Sequence, residues 1–329
     1  MSGPLPTESG AAQRGGEPRP AEFPARSADA RAAPAVPIDR ALLRRWPLPA
    51  PGPDVDKDGR GRVLLVAGSR ELPGAALLAG EAALRAGCGK LCVATARCVT
   101  TGLALALPEA RVVGLPETAA GGLAPEGAEA LAAVAGEADV LLIGPGLRDP
   151  AALGAFLQTL LRALPPATPV VLDALAIEVA PRHADAARHR LLLTPHAGEM
   201  ATLLRVDKDA VLADPAACAR DAARALGAQL LLKGARSHLA APDGRAWRHD
   251  GPPEGLPGLA CSGSGDVLAG LIAGLAARGA SPEQAAAWGV ALHAMAARRL
   301  ARRLGPIGYL ARELAAEVPA LMRRHGRGD

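Results

Sequence analysis

Apolar positions along this chain fall into two alternating patterns. Short runs of β-prone apolar residues recur at 63–67, 90–95, 111–115, 140–143, 170–173, 191–194 and 230–233. Runs so short and so continuously apolar fit strands covered on both faces. Between most of them the apolar residues are spaced at three and four, as in 73–85, which predicts helices with one buried face. Strand and helix in alternation predict a mainly parallel sheet with helices on both sides, a three-layer α/β/α arrangement. The pattern then switches. Residues 237–241 and 245–248 flank Pro242-Asp243-Gly244, a hairpin signal, so the sheet gains antiparallel strands late. The final stretches, 282–304 and 309–322, read as two helices with arginine-rich outer faces. Ahead of the first long strand, 41–46 reads as a short helix and 56–61 as a polar, Gly-containing turn.

Residues 1–36 have no periodicity and are rich in Pro, Gly, Ala, Arg and Glu, a composition that buries too little to order itself. This predicts a disordered tail at 1–36 ahead of one domain over 37–329. Half of the 329 residues are hydrophobic, yet only three Trp, two Phe and one Tyr are present, so the core must be aliphatic and alanine-rich. Platforms for stacking nucleic-acid bases are nearly absent, and the net charge of +4 is small, so no nucleic-acid partner is expected. Cys88, Cys92, Cys98, Cys218 and Cys261 form no metal-type pair and are odd in number, which suggests a reduced, cytoplasmic protein. No apolar run reaches 18 residues, and the first 20 residues carry acids, arginines and prolines, so neither a membrane span nor a signal peptide is expected.

The candidate chemistry centres on Cys261-Ser262-Gly263-Ser264-Gly265-Asp266-Val267-Leu268-Ala269-Gly270. A loop of small residues lets backbone N–H groups approach an anion closely, and the apolar helix that follows points its positive end at the same place. A carboxylate there repels phosphate, so Asp266 is useful if it takes a proton from a group attacking that phosphate; capping of the helix is the alternative. In such sheets ligands bind beyond the carboxyl ends of the strands. Gly68-Ser69, Gly144-Pro145-Gly146, Asp173, Thr194-Pro195-His196 and Lys233-Gly234 all fall there. His196 is read as a ligand contact and Glu199 as a capping group in the first turn of the next helix. The loop after Lys233 would lie against a nucleotide, with Ser237 as a small hydrogen-bonding group; a lysine reaching solvent is the bland alternative. Asp173 is read as structural, with magnesium binding as its alternative, and His293 as a packing residue.

With these residues placed, the chain resembles the ribokinase-like superfamily and, within it, the ADP-dependent (S)-NAD(P)H-hydrate dehydratases. The resemblance covers about residues 53–325. It rests on Val66-Ala67-Gly68-Ser69, Pro73-Gly74-Ala75-Ala76-Leu77-Leu78-Ala79-Gly80, Ile143-Gly144-Pro145-Gly146-Leu147, Leu193-Thr194-Pro195-His196 with Gly198-Glu199, Leu232-Lys233-Gly234 and Gly263-Ser264-Gly265-Asp266. It implies a ribokinase-like fold and a substrate, the hydrated nicotinamide nucleotide NAD(P)HX, that touches Ala75, Gly146, His196 and Asp266. It implies an adenine nucleotide, ADP or ATP, held by Lys233, Gly234, Ala235, Arg236 and Ser237 together with Gly263, Ser264 and Gly265. Mg2+ would assist, no dedicated metal ligand is assigned, and copies of the chain would assemble, as a homotetramer by preference. Asp266 would be the base.

Three departures from the family pattern stand out. Ser262 and Ser264 occupy places where glycine or threonine is usual, Leu256 replaces a common asparagine, and Asp173 is followed by Ala174-Leu175-Ala176 rather than a second aspartate. The epimerase domain often fused ahead of this one is not expected in the roughly 50 residues that precede the match. Two other readings stay open: a kinase of the same fold acting on a hydroxymethylpyrimidine or thiazole alcohol, and a nucleotide-binding regulator without turnover.

Overall fold

A computed structural model of the chain describes residues 34–50, 52, 54, 56–179, 190–252 and 255–325. Among them ten strands form one sheet. They are β1 (Val36–Pro37), β2 (Arg62–Val66), β3 (Lys90–Ala96), β4 (Arg111–Leu115), β5 (Val140–Ile143), β6 (Pro169–Leu172), β7 (Arg190–Leu193), β8 (Gln229–Leu232), β9 (Arg236–Ala240) and β10 (Ala246–Asp250). Their spatial order is β1-β10-β9-β8-β7-β6-β5-β2-β3-β4. Pairing is parallel from β4 through β8, and the antiparallel pairs β8–β9 and β9–β10 arrive late in the chain, as the sequence pattern predicts.

Alternation along the strands divides the core. Val63, Leu65 and Ala67 face one layer of helices, and Leu64 and Val66 face the other. The first layer holds the helices Pro73–Arg85, Ser264–Ala277, Pro282–Leu304 and Ala311–His325; the second holds Pro150–Ala163, Ala197–Leu204 and Pro215–Leu226. The fold is therefore the expected α/β/α sandwich. No helix among the described residues is long and apolar enough to cross a membrane.

Four predicted strands lie one residue further toward the amino end than the apolar pattern puts them. The runs 63–67, 170–173, 191–194 and 230–233 are observed as Arg62–Val66, Pro169–Leu172, Arg190–Leu193 and Gln229–Leu232. Three of those strands stop one residue short of a polar group whose backbone still bonds across the edge: the amides of Asp173, Thr194 and Lys233 donate to the carbonyl oxygens of Ile143, Leu172 and Pro195, and their side chains meet at Asp173. Val36, the last residue assigned to the tail, already pairs with Trp247; residues 1–33 lie outside the described residues. Trp288 Nε1 donates to the Trp46 carbonyl oxygen at 2.7 Å and so ties the short helix Arg40–Arg45 to the body.

The central helix, Ser264–Ala277, is buried over eleven of its fourteen residues, so its neighbours must approach unusually closely. Gly270 and Gly274 make that possible. A methyl group on Gly270 would run into the Ala79 carbonyl oxygen of helix Pro73–Arg85, and one on Gly274 into that of Ala83. Gly270→Ala gains up to about 1 kcal/mol of helix propensity, but forcing two backbones apart in a packed core costs about 1–3 kcal/mol or more. We expect net destabilisation, read as a lower midpoint in urea unfolding; a midpoint at or above wild type would refute the close-packing account.

Candidate active site

The helix Ser264–Ala277 begins at Gly263, whose backbone is left-handed (φ +87°) and whose helix start has no side-chain cap. Asp266 is therefore in the first turn and is not the cap, which removes the structural alternative for it. Ser264 Oγ donates to the Leu259 carbonyl oxygen at 2.7 Å and Ser264 N to that of Cys261 at 3.3 Å, fixing the loop against the helix. Among the described residues, the amides of Gly265 and Asp266 have no acceptor. Free donors at the positive end of a helix make a seat for a phosphoryl group.

Three other strand ends converge on this turn. Lys233 Nζ lies 2.8 Å from Asp173 Oδ1 and 4.0 Å from Glu199 Oε2. It also sits against the loop, since a Cβ on Gly265 would lie 3.4 Å from it. Thr194 Oγ1 donates to Asp173 Oδ1 at 2.7 Å, so the buried Asp173 carboxylate holds a hydroxyl and an ammonium at once. The bland reading of Lys233, a side chain reaching solvent, fails here: the side chain is only 17% exposed.

Charge in this cluster is unbalanced, with three carboxylates facing one ammonium. Burial pushes the Asp266 carboxyl up to about 7, Asp173 adds repulsion, and Lys233 offsets part of the shift. Burial also raises Glu199, against the pull of Lys233. For Lys233 itself burial favours the neutral amine, but Asp173, Glu199 and Asp266 outweigh it and hold the group above the ordinary lysine range.

His196 caps the helix Ala197–Leu204: its Nδ1 accepts from the amides of Gly198 at 3.0 Å and Glu199 at 3.2 Å, and Glu199 Oε2 accepts from the His196 amide at 2.8 Å. The expected capping role of Glu199 is thus present, while the His196 side chain is 60% exposed, with Nε2 3.6 Å from Glu199 Oε1. An isolated bridge pairs His196 with Lys233. On the other side, Gly146 packs so tightly that a Cβ would lie 2.7 Å from that of Ala75. Leu78, one turn along from Ala75, touches Gly263, so Ala75 and Gly146 line the same end of the sheet as Asp266.

Gly234 and Ala235 form the turn from β8 to β9, where Ser237 is buried and its Oγ bonds weakly to the Gly234 carbonyl oxygen at 3.5 Å. Arg236 points away, toward Asp250, and is not part of the cluster. Leu256 packs on the core beside the loop, and Ser262 is exposed. His293 is buried as a packing residue should be, held neutral with its pKa down to about 4 by burial.

The motif reading missed the Asp173–Lys233–Thr194 network. The available signal was that three consecutive strands each end on a polar residue at one edge. It also missed Thr95, whose buried hydroxyl, like that of Ser69, has no protein partner at the ends of β3 and β2. A cavity of about 500 Å³ exists at the opposite edge, lined by Arg62, Lys90, Arg111 and Cys92 among others. Arg62 and Lys90 there are already paired with Asp58, and burial raises the Cys92 thiol.

Residues 63–320 match the family model described as NAD(P)H-hydrate dehydratase. The chain belongs to this family. It is similar to the ADP-dependent (S)-NAD(P)H-hydrate dehydratase of Xanthomonas campestris, at 49% identity over 88% of this chain and 97% of that protein. Against the bifunctional NAD(P)H-hydrate repair enzyme of Moorella thermoacetica it is 43% identical over 80% of its own length but spans only 49% of that protein. Its structure resembles that of the ADP/ATP-dependent NAD(P)H-hydrate dehydratase from Bacillus subtilis co-crystallised with ATP/Mg2+, with a TM-score of 0.76 and 30% identity over 88% of this chain and 99% of that one. The ribokinase-like sandwich of the dehydratase family is thus the frame in which the Asp266 cluster sits.

The His196 cap can be tested on stability alone. His196→Ala should lower stability by about 1 kcal/mol through loss of the cap, whereas His196→Asn, which can still cap, should melt close to wild type. Equal melting temperatures for wild type and the alanine variant would show that the cap contributes nothing.

Proposed function

We propose that this chain catalyses the ADP-dependent dehydration of the S epimer of hydrated NADH and NADPH, returning NAD(P)H and releasing AMP and phosphate. One feature carries the mechanism: a carboxylate whose pKa burial pushes up to about 7 stands in the first turn of a helix that starts without a capping side chain. The names borne by the 49% identical relative and by the Bacillus subtilis structure support the same reaction.

In this reading the ionised Asp266 removes the proton from the ring hydroxyl of the hydrate. The oxygen attacks the terminal phosphoryl of ADP, the bond to the AMP oxygen breaks, and the Gly265 and Asp266 amides stabilise the charge on the transferred group. The phosphorylated oxygen then leaves as phosphate with loss of a neighbouring ring proton, which restores the dihydronicotinamide. Phosphate departs far more easily than hydroxide, so a phosphoryl-transfer fold suits a hydro-lyase. Ala75, Gly146 and the exposed face of His196 would hold the hydrated dinucleotide, while Lys233, Gly234, Ala235, Arg236 and Ser237 with Gly263, Ser264 and Gly265 would hold the adenine nucleotide. Arg236 would have to turn from Asp250 to take part.

Among the described residues no three His, Cys, Asp or Glu side chains are grouped to hold a metal ion. The place between Asp173 and Glu199 where a divalent cation would gain most is taken by Lys233. We propose that Mg2+ enters on the nucleotide phosphates, with ADP or ATP as carrier. A homotetramer in the cytoplasm completes the proposal.

Purified protein given enzymatically hydrated NADH, ADP and Mg2+ should restore the absorbance of the reduced nicotinamide. Asp266→Asn should lose turnover by about 10³-fold, the scale of a general base, while still binding nucleotide; a variant at wild-type rate would remove Asp266 from the mechanism. The pH profile follows from the same group. Because only the ionised form can accept the proton, kcat/KM should fall about tenfold per unit below a limb near pH 7, and a limb near pH 4 would place the base elsewhere.

A further inference from the structure

Lys233 is built in more firmly than a phosphate contact requires. Its ammonium is bonded to Asp173, the Asp173 carboxylate is bonded to Thr194, and the Lys233 amide donates to the Pro195 carbonyl oxygen at 2.8 Å. Removing one partner of a buried pair strands the other charge, so the two act as a unit. That unit lies against the first turn of helix Ser264–Ala277: the ammonium abuts Gly265, the residue before Asp266.

We propose that the Lys233–Asp173 pair is a positioning device that sets the charge of Asp266 from two sides, the ammonium favouring the carboxylate and Asp173 opposing it. This rests on the reading of Asp266 as the base and adds what tunes it. The remaining groups around Asp266 are few. Glu199 faces it from helix Ala197–Leu204, helices Pro73–Arg85 and Ala311–His325 bring the apolar Leu78 and Ala311 to Gly263, and helix Pro282–Leu304 brings His293, which burial keeps neutral behind Ser264. Lysine without its partner would hold Asp266 ionised and weakly basic. The carboxylates without lysine would keep it protonated and idle. Together they leave a base whose proton affinity suits neutral pH.

The test reads the Asp266 carboxyl directly, by 13C NMR titration of aspartate-labelled protein, with its signal assigned by loss in Asp266→Asn. Lys233→Met should move the Asp266 midpoint to higher pH by about one unit or more, and Asp173→Asn should move it to lower pH by a similar amount. Lys233→Arg should stay near wild type. The double variant Lys233→Met/Asp173→Asn, which strands no buried charge, should fall between the singles and covers the case in which one single does not fold. Purely structural roles would not give shifts of opposite sign. Midpoints that stay fixed or move together, with only ADP affinity weakened in Lys233→Met, would overturn the proposal and leave Lys233 a nucleotide contact. The rate limb measured in parallel separates this from the base assignment: NMR midpoints that shift as expected while the limb does not follow uphold the ion-pair proposal and discard Asp266 as base.

Discussion

A helix buried along almost its whole length has one place to meet solvent, its end. Helix Ser264–Ala277 lies between the sheet and three other helices, and its backbone comes so close to helix Pro73–Arg85 that only glycine fits at 270 and 274. This packing fixes where its first turn falls, at the carboxyl ends of β6, β7 and β8. The site depends on that constraint more than on any single side chain. The amides of Gly265 and Asp266 are free because the helix starts at a glycine without a capping side chain, and they face the one edge where the parallel strands present their ends. Ala75 reaches the same edge because its own helix is packed on this one.

The second organising force is electrostatic. Three carboxylates share a partly buried site with one ammonium; burial raises Asp266 and Glu199, and Lys233 pulls both back. Asp173 is committed to Lys233 and Thr194, and Glu199 accepts from the His196 amide, whereas no such bond fixes Asp266. The raised proton affinity therefore falls on Asp266, the group proposed as base. Structural bonds thus protect two of the acids from the chemistry, and the one left without a partner is the one at the helix start.

Much of this was legible in the sequence, for identifiable reasons. The apolar runs located the strands because a strand buried on both faces leaves no polar positions, and the hairpin turn residues located the antiparallel part. The Gly-Ser-Gly-Asp loop revealed itself by the absence of side-chain bulk. What periodicity could not give was the partner of Lys233, since Asp173 lies 60 residues away and only the parallel order β6-β7-β8 makes them neighbours. The strand ends were placed one residue too far along because Asp173 and Thr194 continue the apolar runs and still donate backbone hydrogen bonds to the neighbouring strands, while their side chains already bond to each other across the edge. The strand at Val36 was hidden too, because two residues carry no period.

The buried histidine behind the loop shows how strictly the charge count is kept. His293 stands close enough to Lys233 for the two to repel, and burial already disfavours its charged form, so it stays neutral with Nε2 unpaired. A protonated imidazole there would add a second cation beneath the phosphoryl seat. It would pull Asp266 toward permanent ionisation and lower its value as a base. An orphaned nitrogen costs stability, on the order of 1–3 kcal/mol for an unsatisfied buried group, whereas a charged one would undo the balance that gives Asp266 its proton. A neutral His293 leaves Lys233 as the cation that faces the proposed base, so the affinity of Asp266 for its proton stays near neutrality.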